Sequence, residues 1–354
     1  MLSHLQSSFS EGTNFHKIND NPLLLEAHNV KSETFSGYLA IGKAQGWGGP
    51  LHTATIIDKN GVIERVVLID HKETPSFFFK IQRHQFLQQF TGRKISDPFV
   101  LDADIDSVTG ATMSSRAITE AIREGSHAAG KKIFNLPIKE ERFPWKFGTD
   151  EILLLLLYAV MLFGVLRKIK IMHYVTMAAA FIFLGFYLNA AISIGNISSL
   201  FLGYFPSFKE NIFWWLLIIG ALLMPLILRR NLYCSYLCPF GALQEFTAKI
   251  GGINIRLSEK SIKFTKHLVY FLAWFALILI FLTSNPAIGA FEPFATFFAL
   301  EGIGVQWFLL PAVVLGSFVF ARFFCRFFCP VGVVLNLMVK ARHNLGKIVI
   351  GSKQ

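Results

Sequence analysis

Cysteine is scarce in this chain: its 354 residues hold four. Four could form two disulfides at most, which is little cross-linking for a chain of this length. Charge is scarce as well. Only 16% of the residues are charged against 53% hydrophobic, and the mean hydropathy of +0.48 is too high for an ordinary soluble protein. Acidic residues thin out in the second half. Residues 151–354 carry 17 basic and 6 acidic side chains and residues 1–150 carry 17 of each, so the net charge of +11 lies wholly in the apolar half. The first half has no basic stripe interleaved with stacking aromatics, which argues against nucleic acid as a partner. The apolar runs hold no Asp, Glu, Lys or Arg well inside them, which argues against an ion channel or proton pump. His173 and His267 both fall at run ends, so they cannot pair as axial haem ligands at mid-membrane.

Five apolar runs are present: Ile152–Leu166, Tyr174–Ile194, Ile212–Leu228, Leu268–Thr283 and Trp307–Ala321. We read them as about five membrane spans, with tilt or thinning to accommodate the shorter ones. Basic residues gather after the first, third and fifth runs and before the fourth, from Arg167 and Lys168 to Arg322 and Lys340. The positive-inside rule puts those connections in the cytoplasm and residues 1–145 outside, as a separate domain, with residues 146–354 as the membrane module. The first 30 residues contain no apolar run that could carry such a domain across. An upstream signal or span is therefore expected.

The four cysteines form two copies of one pattern. Cys234-Ser-Tyr-Leu-Cys238-Pro239-Phe-Gly241 recurs 91 positions later as Cys325-Arg-Phe-Phe-Cys329-Pro330-Val-Gly332. The order of elements around them repeats too, over residues 191–245 and 283–336. Parallel repeats entering from one side bring equivalent positions to one face, so a single four-cysteine metal site is expected. Four thiolates suit an iron–sulfur cluster and also a structural zinc. Cys-Pro recurs in cluster-binding runs, and the cluster is the reading we carry forward, 4Fe-4S ahead of 2Fe-2S. Arg322 and Arg326 read as positive-inside anchors that could also offset cluster charge. Glu292 and Glu301, in an outer connection, read as solvated acids. The aromatic outer connections Phe201–Phe208 and Phe291–Phe298 could hold a quinone headgroup.

In the first half, two β-rich runs within His52–Asp70 meet at Lys59-Asn60-Gly61, a hairpin signal. After Asp106-Ser107-Val108-Thr109-Gly110-Ala111-Thr112 comes a helical pattern with Ala117, Ile118, Ala121 and Ile122 on one face and Ser114 or Ser115 as its cap. The start of a helix offers free N–H groups to a phosphate, and Gly110 would let one approach the backbone closely.

Residues 106–112 followed by Met-Ser resemble the flavinylation motif of the FMN-binding domain in the Na+-pumping quinone reductase and Rnf complexes. Gly46-Trp-Gly-Gly-Pro50 and His71-Lys-Glu73-Thr74-Pro75 resemble the same domain, although Ser76-Phe77-Phe78 stands where that family usually has glycine after the proline. The resemblance implies an α+β domain with FMN joined to Thr112 through a phosphoester, and Ser107, Thr109, Gly110, Ala111, Ser114, Glu73 and Thr74 around it. The paired Cys-x3-Cys-Pro motifs resemble the iron–sulfur membrane module of NosR-type and NapH-type proteins. It is an all-α bundle in which Cys234, Cys238, Cys325 and Cys329 would be the ligands. The fusion of the two is similar to NosR/RdhC-like membrane flavoproteins, in the short form without a C-terminal ferredoxin-like domain. What this implies is an electron-transfer protein of the inner membrane. It would pass electrons between a cytoplasmic-side cluster, or the quinone pool, and an extracytoplasmic FMN. Its partners would be membrane lipid, an extracytoplasmic reductase, a cytoplasmic electron donor and a maturing flavin transferase. The alternative is a non-catalytic accessory, regulatory or maturation protein with a structural metal on the cysteines.

Overall fold

The computed structural model describes residues 13–29, 35–138, 147–209, 211–252, 258–289, 291–302 and 304–351. The chain divides into two compact units, one over residues 1–144 with Tyr204–Pro206 and one over the remainder.

The first unit is built on a five-stranded antiparallel meander in chain order: β1 Thr13–Asp20, β2 Leu23–Asn29, β3 Phe35–Gln45, β4 Pro50–Ile57 and β5 Ile63–His71. The hairpin expected at Lys59-Asn60-Gly61 joins β4 to β5. Asp58 Oδ1 accepts the N–H groups of Asn60 and Val62 at 2.8 and 2.7 Å, and Gly61 takes the left-handed conformation that the turn requires. Leu25, Leu39, Ile41, Ala54 and Ile56 alternate onto one face as a buried cluster. Helix α1 (Pro75–Arg83) follows β5, and helix α2 (Thr112–Lys132) lies on β3 and β4. A Cβ on Gly42 would stand 1.8 Å from the Ala121 carbonyl oxygen, so only glycine lets strand and helix approach this closely. That contact fixes where α2 begins relative to the sheet.

The second unit is helical. In chain order it contains α3 (Thr149–Arg167), α4 (Lys170–Ala180, continued by a π-helical turn over Phe181–Tyr187), α5 (Ile194–Phe201) and α6 (Ile212–Leu228). Then come α7 (Pro239–Gly251), α8 (Glu259–Thr283), α9 (Phe294–Ala299), α10 (Val305–Val319), α11 (Phe323–Phe327) and α12 (Pro330–Gly351). Among the described residues three helical stretches are long and apolar enough to cross a membrane: Thr149–Arg167, Lys170–Tyr187 and Glu259–Thr283. Helices α6 and α10 are apolar but shorter.

The second apolar run departs from expectation. It stops as a helix at Tyr187 rather than continuing to Ile194, and a new helix starts at Ile194. The cause is local chemistry. Asn189 is left-handed, and Ser193 and Asn196 cap the new helix reciprocally, Ser193 Oγ accepting the Asn196 N–H and Asn196 Oδ1 accepting the Ser193 N–H.

The connections expected to lie outside also differ from a surface reading. Glu292 and Glu301 are 4% and 6% exposed, not solvated. Glu292 Oε1 accepts the Ile194 N–H at 2.8 Å, so this acid finishes the N-terminus of α5 that the chain break created. The segment that follows turns inward. Phe294 packs on Phe240 and Phe324, with ring centroids 5.0 and 5.6 Å away, and both of those rings belong to the cysteine-bearing segments.

Candidate functional site

Each cysteine pair follows an apolar helix and precedes another. Cys234 lies in a π-helical turn, Tyr233–Leu237, after α6. Cys238 then caps α7, its Sγ accepting the Gly241 N–H at 3.4 Å. Pro239 is the first residue of α7, where its missing N–H costs nothing. The second copy repeats this: Cys325 lies in the short α11 and Cys329 stands just before Pro330, the first residue of α12. The Cys-Pro-x-Gly pattern is thus a helix start that turns the second sulfur of each pair back on the first residues of the helix.

All four cysteines line one cavity of ≈ 180 Å³, together with Arg322, Asn231 and Asn336. The four are free thiols, and Cys329 is the most buried. Burial pushes the Cys234 thiol up to about 12, and neighbouring Cys325 pushes the same way. Four thiolates held here need a positive centre to offset their charge. A zinc ion with bonds of about 2.3 Å wants four sulfurs closed on a point. Among the described residues no three His, Cys, Asp or Glu side chains converge in that way. The four sulfurs border one cavity.

The surroundings of the cavity were not legible as a site. Arg322 is no surface anchor: it donates to the carbonyl oxygens of Cys234 and Ser235, both at 3.2 Å, and to Glu245 Oε2 at 2.6 Å. The other oxygen of Glu245 meets His173 Nε2 at 3.1 Å. Gln244 is fully buried; its Nε2 donates to Cys325 Sγ at 3.3 Å and its Oε1 accepts the Phe324 N–H at 2.7 Å. On the other side Asn231 Nδ2 donates to Asn336 Oδ1 at 3.2 Å, and Asn231 Oδ1 accepts the Cys234 N–H at 3.1 Å.

These contacts obey the repeat. Asn231 and Arg322 stand three residues before the first cysteine of their motifs, and Glu245 and Asn336 seven after the second. Asn231 of the first copy meets Asn336 of the second; Arg322 of the second copy meets Glu245 of the first. The two half-sites clasp each other by the same pair of positions, exchanged. The offset of 91 residues, applied beyond the cysteines, was the signal that could have found all four.

In the first unit, the residues expected around a flavin fall at the start of α2. Gly110 has φ +75°, and Thr112 is the first residue of the helix, half-buried, after Ala111. The expected cap by Ser114 or Ser115 is not what forms. Ala111 occupies the cap position without a side-chain bond, and Ser115 Oγ instead reaches back to accept the Val108 N–H at 3.1 Å, holding the turn shut. Gln89 clamps the other end of the motif through both the N–H and the carbonyl of Asp106. Ser107 donates its N–H to Asp102, and Thr109 is exposed. The first N–H groups of any helix lack intrahelical partners, and here a Cβ on Gly110 would lie 2.8 Å from Lys80 Nζ. The N–H groups of a helix start and a cation therefore meet at one turn.

Glu73 and Thr74 approach from the other side. Thr74 caps α1 through its carbonyl, which accepts the Phe77 and Phe78 N–H groups, so Ser76-Phe77-Phe78 form a helical turn. Glu73 is 3% exposed and accepts the Gly48 N–H at 3.3 Å. A Cβ on Gly46 would overlap its carboxylate, which accounts for the glycines of Gly46-Trp-Gly-Gly. Burial pushes the Glu73 carboxyl up to about 7, against the N–H groups of Gly48, Trp47 and Thr74 and the Ser114 hydroxyl, which pull it down. Glu73 Oε1 and buried polar atoms of His71 and Ser76 have no hydrogen-bond partner among the described residues. Unsatisfied polar atoms concentrated in one region are what a polar ligand would satisfy.

A family model described as FMN-binding domain matches residues 46–126, and one described as 4Fe-4S binding domain matches residues 211–258 and 307–348. The chain joins an FMN-binding domain to a 4Fe-4S module. It is distantly related to Regulatory protein NosR of Pseudomonas aeruginosa, 27% identical over 47% of this chain and 25% of the relative. Protein NirI of Paracoccus denitrificans is 28% identical over 47% and 26%. A component of the proton-translocating ferredoxin:NAD(+) oxidoreductase complex of Clostridium ljungdahlii is 24% identical over 32% of this chain and 64% of its own length. The matches to NosR and NirI thus span about a quarter of those relatives. The long apolar helices suggest a membrane protein.

Proposed function

We propose that this protein carries electrons between a 4Fe-4S cluster on Cys234, Cys238, Cys325 and Cys329 and an FMN joined to Thr112 by a phosphoester. The observation that carries this is the single cavity lined by all four thiols, in a chain whose first unit has an FMN-binding domain. When bound, a flavin exchanges electrons singly or in pairs and the cluster one at a time. The chain's own residues hold and tune. The first-turn N–H groups of α2 and Lys80 would neutralise the phosphate, Gly110 leaves room for it, and Glu73 and Ser114 would complete the pocket's polar contacts. The basic connections support a topology with the cysteines on the cytoplasmic side and the flavin domain outside, serving a respiratory reductase and drawing on a cytoplasmic donor or the quinone pool. Phe294, from a connection read as lying outside, lines the same cavity as the four cysteines.

A regulatory or accessory role is the second reading, favoured by the name "Regulatory protein" that the NosR relatives bear. One preparation separates the two. The full chain, produced in the inner membrane with a flavin transferase, is run on a denaturing gel under ultraviolet light beside Thr112→Val, and its iron and zinc are measured. A fluorescent band that the variant loses, with iron in excess of zinc, is expected. No flavin and stoichiometric zinc would sink the electron-transfer reading.

A further inference from the structure

We infer that Gln244 is a positioning residue that sets the reduction potential of the cluster from one side, through its N–H bond to Cys325. The inference rests on the cluster reading above and goes beyond it. Gln244 is fully buried, and both ends of its amide are committed: Nε2 donates to Cys325 Sγ at 3.3 Å and to the Phe240 carbonyl at 3.1 Å, and Oε1 accepts the Phe324 N–H at 2.7 Å. The last bond fixes the others. Because Phe324 supplies a donor, the amide must present its oxygen there and its NH2 to the sulfur.

An electron added to the cluster increases the negative charge on its thiolates. A donor aimed at one of them stabilises the reduced form more than the oxidised form, and burial keeps water from competing. The repeat supplies the contrast. The position equivalent to Gln244 is Leu335, 1% exposed, which has no hydrogen to donate to Cys234. Arg322 lines the cavity as a guanidinium where the first copy has the neutral Asn231, and its bonds run to the carbonyls of Cys234 and Ser235. The ligands repeat between the copies; the side-chain donor at Gln244 does not.

Three variants of the full chain in detergent test this, each read by iron content, electron paramagnetic resonance spectrum and midpoint potential. Gln244→Glu keeps the acceptor for Phe324 and, as a carboxylate, sets a negative charge against Cys325 in place of the donor. Gln244→Leu removes both and makes the copies alike. Leu335→Gln places a donor beside Cys234. With iron and spectrum retained, Gln244→Glu and Gln244→Leu should lower the potential. For Gln244→Leu a tenfold change in the reduction equilibrium is expected, about 59 mV for one electron. Leu335→Gln should raise it. Unchanged potentials in iron-replete variants would overturn the inference and leave the cluster reading standing. So would loss of the cluster in Gln244→Glu, which would make the residue purely structural. A wild-type protein without a 4Fe-4S signal would remove the cluster reading itself, and this inference with it.

Discussion

The half-sites around Cys234 and Cys325 share a backbone plan and differ in how they are fastened. One clasp, Asn231 to Asn336, joins two neutral amides; the other, Arg322 to Glu245, joins full charges and extends to His173. A duplicated motif therefore dictates where a contact forms without dictating its chemistry. The amide clasp is exposed and the charged one largely covered, with side chains 23% and 20% exposed, so the second has more at stake.

The largest expected effect tests whether the halves form one centre. Cys238→Ser and Cys329→Ser should each reduce iron to background, one from each copy; retention of half the iron in either would show two separate centres. Next is the charged clasp. Arg322→Ala leaves Glu245 without its guanidinium, and removing one partner of a covered pair costs about 3–5 kcal/mol. Thermal unfolding in detergent should show it. The double variant Arg322→Asn with Glu245→Asn copies the neutral clasp onto the charged side and should recover most of the loss; no recovery would mean that the charges themselves hold the halves together.

A third test sets two covered carboxyls against each other by pH. Burial would raise Glu245, but the hydrogen bonds and charge of Arg322, then His173, outweigh it and hold the carboxyl below its usual range. Glu245 thus contributes stability above the ordinary carboxylate range that is lost as pH falls. Glu73 has the opposite sign. Its carboxyl titrates at about 7 in the fold against 4.5 ordinarily, so its contribution is present below 4.5 and disappears as pH rises toward 7. Glu73→Gln should stabilise the flavin unit at pH 8 by about 2–3 kcal/mol and leave it nearly unaffected at pH 4; equal effects at both would refute the assignment. The smallest effect is Asn231→Ala, about 1 kcal/mol for one partly solvated amide clasp.

Much of the frame was legible in the sequence because its causes are local. The β4–β5 hairpin announces itself in Lys59-Asn60-Gly61, the apolar runs in their composition, and the cysteine half-sites in their repetition. What was missed depends on distant partners. Glu292 reads as a loop acid until the helix break at Ser193 gives it an N–H to accept, 98 positions away. Arg322 reads as an anchor until Cys234 and Glu245 come within reach. Ser115 reads as a cap because its position fits one, but the turn at Val108 competes for the hydroxyl and wins.

Two halves that clasp each other through exchanged positions do not need a covalent link to do so. Separate copies of one motif-bearing segment could close the same cavity across a dimer axis, but both clasps would then have to be identical. Fusion into one gene lifts that requirement, since a substitution in one copy no longer appears in the other. The pairing of Asn231 with Asn336 opposite Arg322 with Glu245 is the mark of such freedom: two unlike clasps, which a symmetric dimer cannot have.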